Sequence, residues 1–517
     1  MNRREFIKLL SCTMAASGAT LFPAALYATY LEGHQSNFAI SWKKSFDAAL
    51  NKKPWLAHIS SLDKSLSAQN LVIEGKIPTG LIGTLYRNGP AQHEINGQRY
   101  HHLFDADGMI QQFCINGENQ TATYFGRFVD TAKRRKDLFT GQMSTPTFGS
   151  AFPTMSHVTK ADDMNAANTS IRQHAGKLLA LWEAGSAYEI DPLSLSTTGI
   201  VTWSEQTQGM PYSAHPKIDQ DGSMWNFGAI GTFQGLVFYH IGASGKLLKQ
   251  QTIRLPEARM VHDFMITERY LVFILAPFVF DHELAHSRLL TSYLDAHQWK
   301  KQEANWLLLV DKDNLSNVRR LELPASWIFH FGNAWQKGHW LYFDMCEYKD
   351  TSVMTQGLRD IMKGDDHVTE LAKHSALKIN LKTGYFEKDT LYQNVEFPIY
   401  DERFVGRKNQ YTLAICNRNG NHLLSANRLV LIDLTNGQHR HFDFPENEVI
   451  EEHLFIPNKY SNKEMEGWFI GVSFDYKRMI SKVNIFTASS FEYGPDAMIQ
   501  LPYHIPTGFH GTFVGAT

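Results

Sequence analysis

Four histidines in this sequence could bind a metal ion together, although no two of them form a local motif. They are His215, His262, His330 and His510, and each has apolar residues close by. Imidazole nitrogens are good ligands for iron, copper and zinc, and such ligands can come from distant parts of a chain. Taken singly, each of them has an ordinary alternative as a buried, hydrogen-bonded core histidine. The residues alone therefore indicate a possible four-histidine site.

Short β-strands would have to position these histidines. His215 precedes the predicted strand Met224–Phe227, and His262 lies at the entrance to Tyr270–Leu275. Four segments share an apolar strand that runs into a polar turn: Tyr188–Pro192, Leu307–Asp311, Ala376–Gly384 and Leu429–Gly437. Asp and Asn side chains bond to the backbone two residues on, and glycine supplies a positive φ, so each segment predicts a hairpin. The turns are irregularly spaced, which excludes a strict repeat but allows a propeller with uneven blades.

The sequence predicts one all-β domain rather than several small ones. No Gly-rich linker or run of charges divides it, so we place a single domain at 68–517 and an N-terminal extension at 29–67. Helical patterns are limited to Ser45–Asn51 and Asp281–Lys300, and the second could form an amphipathic insert.

Composition excludes several classes of protein. The 517 residues carry 50 Lys+Arg and 52 Asp+Glu, a net charge of −2, which argues against a dedicated nucleic-acid binder. A hydrophobic fraction of 43% excludes an intrinsically disordered chain. Four scattered cysteines are too few for a disulfide scaffold. An apolar small molecule is compatible with this balance.

The N-terminus resembles an export signal. The paired arginines Arg3 and Arg4 precede a mildly apolar stretch that extends to about Ala28, which is typical of the twin-arginine type. We therefore expect residues 1–28 to direct the protein to the periplasm, with cleavage after Ala19 or Ala28. An uncleaved N-terminal membrane anchor is the alternative, but the stretch is interrupted by Ser11, Ser17, Gly18 and Pro23.

A series of motifs extends from about residue 68 to the C-terminus. The motifs are Gly83–Pro90, His102–Met109, Arg127–Thr131, the four histidine segments, Glu396–Pro398 and Phe404–Arg407. Together and in this order they resemble the carotenoid cleavage oxygenase family, which also includes stilbene-cleaving enzymes and a retinoid isomerase.

The resemblance implies a fold and a metal site. The family fold is a seven-bladed β-propeller, capped on one face by loops and short helices that form a substrate tunnel. One Fe(II) per subunit would be held on the axis by His215, His262, His330 and His510. Three glutamates would lie behind these ligands, at Glu183, Glu396 and Glu452, with Glu451 as the neighbour that could take the last place. A carboxylate behind a ligand imidazole fixes its tautomer and orientation.

The resemblance also implies a reaction. We expect a non-haem Fe(II) dioxygenase that uses O2 as co-substrate to cleave a conjugated C=C bond of a carotenoid or apocarotenoid into two carbonyl products. A stilbene-type dioxygenase is the alternative within the family. Those enzymes hold a phenol hydroxyl with Tyr and Lys, and Lys133 lies near the expected position. However, Lys133 belongs to the basic run Lys133–Lys136, which is typical of a solvated face. A catalytically inactive propeller that serves as a binding module is the alternative outside the class.

Some positions differ from the family pattern and bear on the substrate. Gln336, Lys337 and Ile399 replace the residues usual at these places. The expected partner is an apolar conjugated small molecule. An apolar rim at Leu284–Leu294 could contact a membrane peripherally, although a plain capping helix also fits that pattern. The oligomeric state is not indicated.

Overall fold

The computed structural model describes residues 41–516, apart from residues 153, 154, 157, 232, 288–290, 367–369 and 421. The proposed export segment lies outside the described residues, as does part of the N-terminal extension. Among the described residues, no helix is both long and apolar enough to cross a membrane.

Seven antiparallel sheets form a seven-bladed β-propeller. Blade 1 comprises Leu66–Ala68, Ile82–Gln92, Asp107–Asn116, Thr121–Phe128 and His510–Gly515. Blade 2 comprises Ser170–His174, Lys177–Leu181, Tyr188–Ile190 and Thr197–Ile200. Blade 3 comprises Lys217–Ile218, Met224–Ile230, Gly235–Ile241 and Leu247–Arg254. Blade 4 comprises Met265–Ile266, Tyr270–Leu275, Asn305–Asp311 and Val318–Leu323.

The remaining blades follow in chain order. Blade 5 comprises Trp327–Lys337, Trp340–Tyr348, Lys373–Asn380 and Phe386–Gln393. Blade 6 comprises Val395–Ile399, Tyr411–Cys416, Arg428–Asp433 and His439–Asp443. Blade 7 comprises Val72–Gly75, Glu448–Pro457, Gly467–Asp475, Ile480–Thr487 and Ala497–Gln500. Two small hairpins pair Glu94–Ile95 with Gln98–Arg99 and Phe278–Phe280 with His297–Trp299.

Both ends of the described chain close the ring. His510–Gly515 pairs with Ile82–Gln92 and becomes the innermost strand of blade 1. Val72–Gly75 pairs with Ala497–Gln500 and becomes the outer strand of blade 7. This closure places a histidine from the end of the chain on the same axis as histidines from blades 3 to 5.

Apolar residues pack between neighbouring blades, which is where a propeller buries its sheet faces. Between blades 4 and 5, for example, Val272 and Ile274 pack against Phe331, Leu341 and Phe343. Similar clusters join blades 2 and 3, 6 and 7, and 7 and 1. These cores fix the angle of each blade and thereby the position of its innermost strand.

The four predicted hairpin turns are present. Each joins the third and outermost strands of a blade, in blades 2, 4, 5 and 6. The Asp191 carboxylate accepts the backbone N–H of Ser194 at 2.7 Å, and the Asn380 side-chain carbonyl accepts that of Lys382 at 2.9 Å. Gly384 and Gly437 have φ of +77° and +71°. The local turn chemistry therefore operates as the sequence predicts.

Some of the short helical segments, together with loops, cover one end of the propeller. Residues 41–50 are helical, and the other helical segments are Pro54–Ile59, Leu103–Asp105, Ala132–Thr140, Ala161–Asp163, Glu205–Thr207, His282–Ser287, Leu294–Ala296, Val353–Gly357, Leu358–Asp360, Ile361–Lys363, Glu402–Phe404, Leu423–Ser425 and Phe491–Tyr493. Phe46, Leu103, Leu294 and Leu358 are buried together with Trp327 of blade 5. We call this apolar layer the cap.

The prediction of an amphipathic helix over Asp281–Lys300 is wrong for the described residues. Helix His282–Ser287 occupies only its start. The segment ends in the strand His297–Trp299, which pairs with Phe278–Phe280, so the insert is a hairpin with a helical tip. Leu294 is buried in the cap because the pairing turns this part of the insert inward.

Buried neutral histidines hold parts of the cap. The Nδ1 atom of His102 accepts the backbone N–H of Phe104 at 3.1 Å, and its Nε2 donates to the Met354 carbonyl at 3.0 Å. Burial lowers the pKa of His102 to about 3. His422 makes the same Nδ1 contact with the N–H of Leu424, at 3.1 Å, and burial lowers its pKa to about 4.

We expect acid to destabilise this cap. Below about pH 6.5 the unfolded imidazole binds a proton that folded His102 does not bind until about pH 3, so the free energy of unfolding falls as pH falls between these values. His102→Asn keeps an acceptor for Phe104 without titrating. It should reduce the pH dependence by about 1.4 kcal/mol per pH unit in chemical unfolding followed by tryptophan fluorescence. The exposed control, His339→Asn, should behave as the parent; equal slopes in all three proteins would contradict the prediction.

Candidate metal centre

The four predicted histidines meet on the propeller axis. His215 and His262 lie just before the innermost strands of blades 3 and 4, His330 lies on that of blade 5, and His510 begins that of blade 1. Their Nε2 atoms are 3.0 Å apart for His215 and His262, 3.3 Å for His262 and His330, and 3.1 Å for His330 and His510. One ring nitrogen from each lies within 4.8 Å of the others.

Three of the four imidazoles have a carboxylate at the opposite ring nitrogen. Glu183 contacts Nδ1 of His262. Glu396 contacts Nδ1 of His330 at 2.6 Å, and Glu452 contacts Nδ1 of His510 at 2.8 Å. In the described part of the chain, no such carboxylate is bonded to His215. The glutamates come from blades 2, 6 and 7, so the set spans most of the ring.

Glu452 rather than Glu451 faces the axis. Its second oxygen also accepts the backbone N–H of Gly511 at 3.0 Å, which fixes the carboxylate against the strand that carries His510. Glu451 instead forms an ion pair with buried Arg87, at an irregularity in the strand pairing between Ile450 and His453.

The protonation states of the histidines favour a cation between their four Nε2 atoms. A carboxylate at Nδ1 accepts that nitrogen's proton, so Nε2 keeps its lone pair. Burial lowers the pKa of His215 and His330 well below 6.5, which keeps both neutral. Burial opposes protonation of His262 too, but Glu183, with Asp263 and Glu396, outweighs it and raises the pKa. Burial raises the pKa of Glu396 to about 7.

These nitrogens fit a divalent metal ion. Lone pairs that face one another at 3.0–3.3 Å cannot form hydrogen bonds with each other. Two nitrogens about 2.1 Å from one ion and at right angles would be about 3 Å apart. A first-row divalent metal therefore matches the donor set, since neutral imidazole is one of its preferred ligands.

A partly buried ion pair connects three of the segments that carry the histidines. Asp263, which follows His262, accepts the backbone N–H of Phe331 at 3.1 Å and pairs with Lys217 at 2.7 Å. Phe331 follows His330, and Lys217 lies two residues after His215. Neither Asp263 nor Lys217 was predicted as a site residue, although each lies within two residues of a predicted ligand histidine.

An apolar cavity of about 330 Å³ borders the centre from the cap side. His262, His330 and His510 lie in its wall, and the aromatic lining comprises Phe104, Phe148, Trp182, Phe280, Tyr293, Trp327, Phe329, Phe397 and Phe509. The Phe329 ring is 5.3 Å from that of His262, and the Phe397 ring is 5.0 Å from that of His330. Such a cavity excludes water and suits an apolar ligand.

Lys133 does not line this cavity. Its side chain is fully buried, and its ammonium bonds to the Tyr100 hydroxyl at 2.7 Å, Asp107 at 2.9 Å and Asp137 at 3.2 Å. The solvated-face interpretation is therefore wrong for Lys133 and for buried Arg134, because helix Ala132–Thr140 turns them inward. Arg135 and Lys136 are exposed.

The positions that depart from the family pattern lie outside the apolar cavity. The Gln336 side chain accepts the Thr267 hydroxyl at 3.0 Å, Lys337 is exposed, and Ile399 faces the opposite side of the centre. None of the three lines the wall that would meet an apolar ligand.

Comparison with known proteins gives consistent matches. The family described as retinal pigment epithelial membrane protein matches residues 59–515. Isoeugenol monooxygenase of Pseudomonas nitroreducens is 26% identical over 86% of this chain and 94% of its own. Apocarotenoid-15,15'-oxygenase of Synechocystis is 28% identical over 85% and 92%. Among solved structures, cobalt-substituted Synechocystis apocarotenoid oxygenase has a TM-score of 0.83 at 26% identity and covers 90% of this chain and 99% of its own.

Proposed function

The chain belongs to the retinal pigment epithelial membrane protein family, the family of carotenoid and apocarotenoid cleavage oxygenases, and we propose that it is a non-haem Fe(II) dioxygenase. Its reaction would cleave a conjugated C=C bond of an apocarotenoid with O2 to give two carbonyl products. One observation carries this proposal: four imidazole nitrogens face one another, and three of these histidines line an apolar cavity with aromatic walls.

The residues of the site have distinct roles in this proposal. His215, His262, His330 and His510 would hold one Fe(II), which supplies the activation of dioxygen when bound. Glu183, Glu396 and Glu452 hold the Nδ1 protons of three ligands and keep their Nε2 lone pairs directed inward. The aromatic wall excludes water and places an extended apolar chain against the centre.

A second substrate class is favoured by one specific observation. The hydroxyl of Tyr100 and the ammonium of Lys133 are 2.7 Å apart, the pair of groups that would hold a phenol in a stilbene-type enzyme. The match to isoeugenol monooxygenase supports the same alternative. Against it, neither residue lines the cavity, and Lys133 already pairs with two carboxylates. The apocarotenoid proposal therefore comes first.

Metal content and product identity test the proposal together. Purified protein should contain about one iron per chain, or regain it from Fe(II) under anaerobic conditions. Incubation in air with an apocarotenal and, separately, with a hydroxystilbene should yield two aldehydes from the first. Aldehydes from the stilbene alone would select the second class. Protein that takes up no iron and cleaves neither compound would be a binding module without this activity.

We also propose export to the periplasm, supported by Arg3 and Arg4 and the apolar stretch that follows. A reporter fused to residues 1–40 should reach the periplasm of a bacterium with an active twin-arginine pathway. Replacement of both arginines by lysine should retain the reporter in the cytoplasm. Reporter that stays in the membrane fraction in intact form would favour the uncleaved anchor.

The carboxylate behind His510 provides a further test of the metal proposal. Glu452→Gln removes the charge that orients and polarises this imidazole, and should weaken Co(II) or Zn(II) binding by about 10- to 100-fold in chelator competition. The matched control is the adjacent Glu451→Gln, which alters the pair with Arg87 but leaves the Glu452–His510 contact in place. Equal losses of affinity in both variants would contradict the assignment of Glu452.

A further inference from the structure

Two cavities reach the histidine ring from opposite sides. The residues just before three of the histidines, Val261, Phe329 and Phe509, line the apolar cavity. Residues just after them, such as Asp263 and Thr512, line a second cavity of about 640 Å³. The chain therefore passes the axis in the same sense at His262, His330 and His510, with the upstream side facing the cap and the downstream side facing the other end. We call the second cavity the axial funnel, defined by Arg172, Lys217, Gln220, Glu402, Arg407 and Thr512.

The axial funnel is much more polar than the apolar cavity, and it is open to solvent. Gln220, Glu402 and Arg407 are exposed. Arg172 forms a two-point pair with Glu402, at 2.8 and 2.7 Å, within the wall. Deeper in, Lys217 is paired with Asp263 at 2.7 Å. These pairs offset their own charges, so the wall offers polar groups to water without a strong positive field.

The histidines remain accessible from this funnel. His215, His330 and His510 all lie in its wall, as does Glu452. The side chains of His330 and His510 retain 11% and 13% of their exposure. His215 lines the funnel but not the apolar cavity.

The free energy needed to bring a hydrated divalent ion to the histidines differs greatly between the two cavities. Moving an ion from water into an apolar environment without new ligands is strongly unfavourable. A polar passage lets water accompany the ion until imidazole nitrogens replace it. We propose that the axial funnel is the route by which the metal ion enters and leaves, whereas the apolar cavity admits only the organic substrate. This inference rests on the proposed function.

Separate routes have a measurable consequence. An apolar molecule in the cavity should not block metal uptake, because the ion approaches from the opposite side of the ring. A bulky group in the axial funnel should slow uptake and release together, since both use the same passage. The equilibrium affinity should stay close to that of the parent, because the ligands are unchanged.

Thr512 offers the position for a plug. It lies two residues after His510 on the same strand, so its side chain points to the same side, and it is half-buried in the funnel wall. Thr512→Trp fills the passage, and Thr512→Val is the matched control of native size. Ala229→Trp places the same bulk in the wall of the apolar cavity.

Co(II) uptake by metal-free protein, followed by visible absorption, tests the inference. Thr512→Trp should slow uptake by about tenfold or more at an unchanged end point, whereas Thr512→Val and Ala229→Trp should stay within about twofold of the parent. Equal rates in all variants, or slowing by Ala229→Trp alone, would overturn it. A parent protein that takes up no Co(II) would instead overturn the proposed metal site, and this inference with it.

A second measurement needs no variant to fold. The parent is saturated with 1-dodecanol as an apolar occupant, and Co(II) uptake is measured again. An unchanged rate supports separate routes. Loss of uptake in the presence of the alcohol would show that the ion uses the apolar cavity, which contradicts the inference.

Discussion

His262→Ala is expected to abolish double-bond cleavage and stoichiometric Fe(II) binding while leaving the propeller folded. His262 is one of four facing nitrogen donors, and its Nε2 is close to those of both His215 and His330. Groups that only orient a ligand are worth about 10- to 100-fold in metal affinity, so loss of a ligand itself should exceed about 100-fold. The Glu183 side chain left behind is about one-third exposed, so water can solvate its carboxylate.

The control for this variant is a histidine in the same propeller but away from the axis. His240 stacks on Trp225 at 3.8 Å in blade 3, and His240→Ala should keep one metal ion per chain. Iron content and Co(II) absorption report binding independently of turnover. Full metal content in His262→Ala would refute its assignment as a ligand. The parallel variant His510→Ala should behave like His262→Ala.

Local structure was largely predictable from the sequence. The Asp and Asn turns at Asp191 and Asn380 depend on contacts within two or three residues, so their chemistry can be read from the letters alone. The convergence of the histidines cannot be predicted from local sequence, because it depends on ring closure by His510–Gly515. That the histidines converge was inferred from the resemblance of the ordered motifs to a known family, and not from the physical properties of the residues.

Two predictions were wrong because contacts in the folded chain override the local sequence pattern. A basic run looks solvated in isolation, but the fold brings Asp107 and Tyr100 to Lys133, and one helical turn brings Asp137. The prediction of a helix over Asp281–Lys300 is wrong for a similar reason, since pairing with Phe278–Phe280 overrides its helical pattern. Asp107 and Tyr100 are 26 and 33 residues away from Lys133 in sequence, and the paired strands of the insert are about 20 residues apart, so a helical pattern does not report these contacts.

Lys133→Met is expected to destabilise the protein by about 3–5 kcal/mol, the usual result of removing one partner of a buried ion pair. The variant leaves Asp107 and Asp137 buried without their cation, and Oδ2 of Asp107 has no hydrogen-bond partner among the described residues. Burial opposes the charge of Lys133, yet Asp107, Tyr100 and Asp137 together hold its pKa well above 10.5. The methionine has similar length but supplies no charge to the two carboxylates.

Two variants separate a structural role of Lys133 from a role in substrate binding. The matched control, Lys136→Met on the exposed side of the same helix, should leave stability near that of the parent. Adding Asp107→Asn to Lys133→Met should recover part of the loss, because the amide removes one uncompensated charge. Chemical unfolding followed by tryptophan fluorescence measures both effects. Unchanged stability of Lys133→Met, together with a raised KM for hydroxystilbene but not for apocarotenal, would instead assign Lys133 to a phenolic substrate and favour the second substrate class.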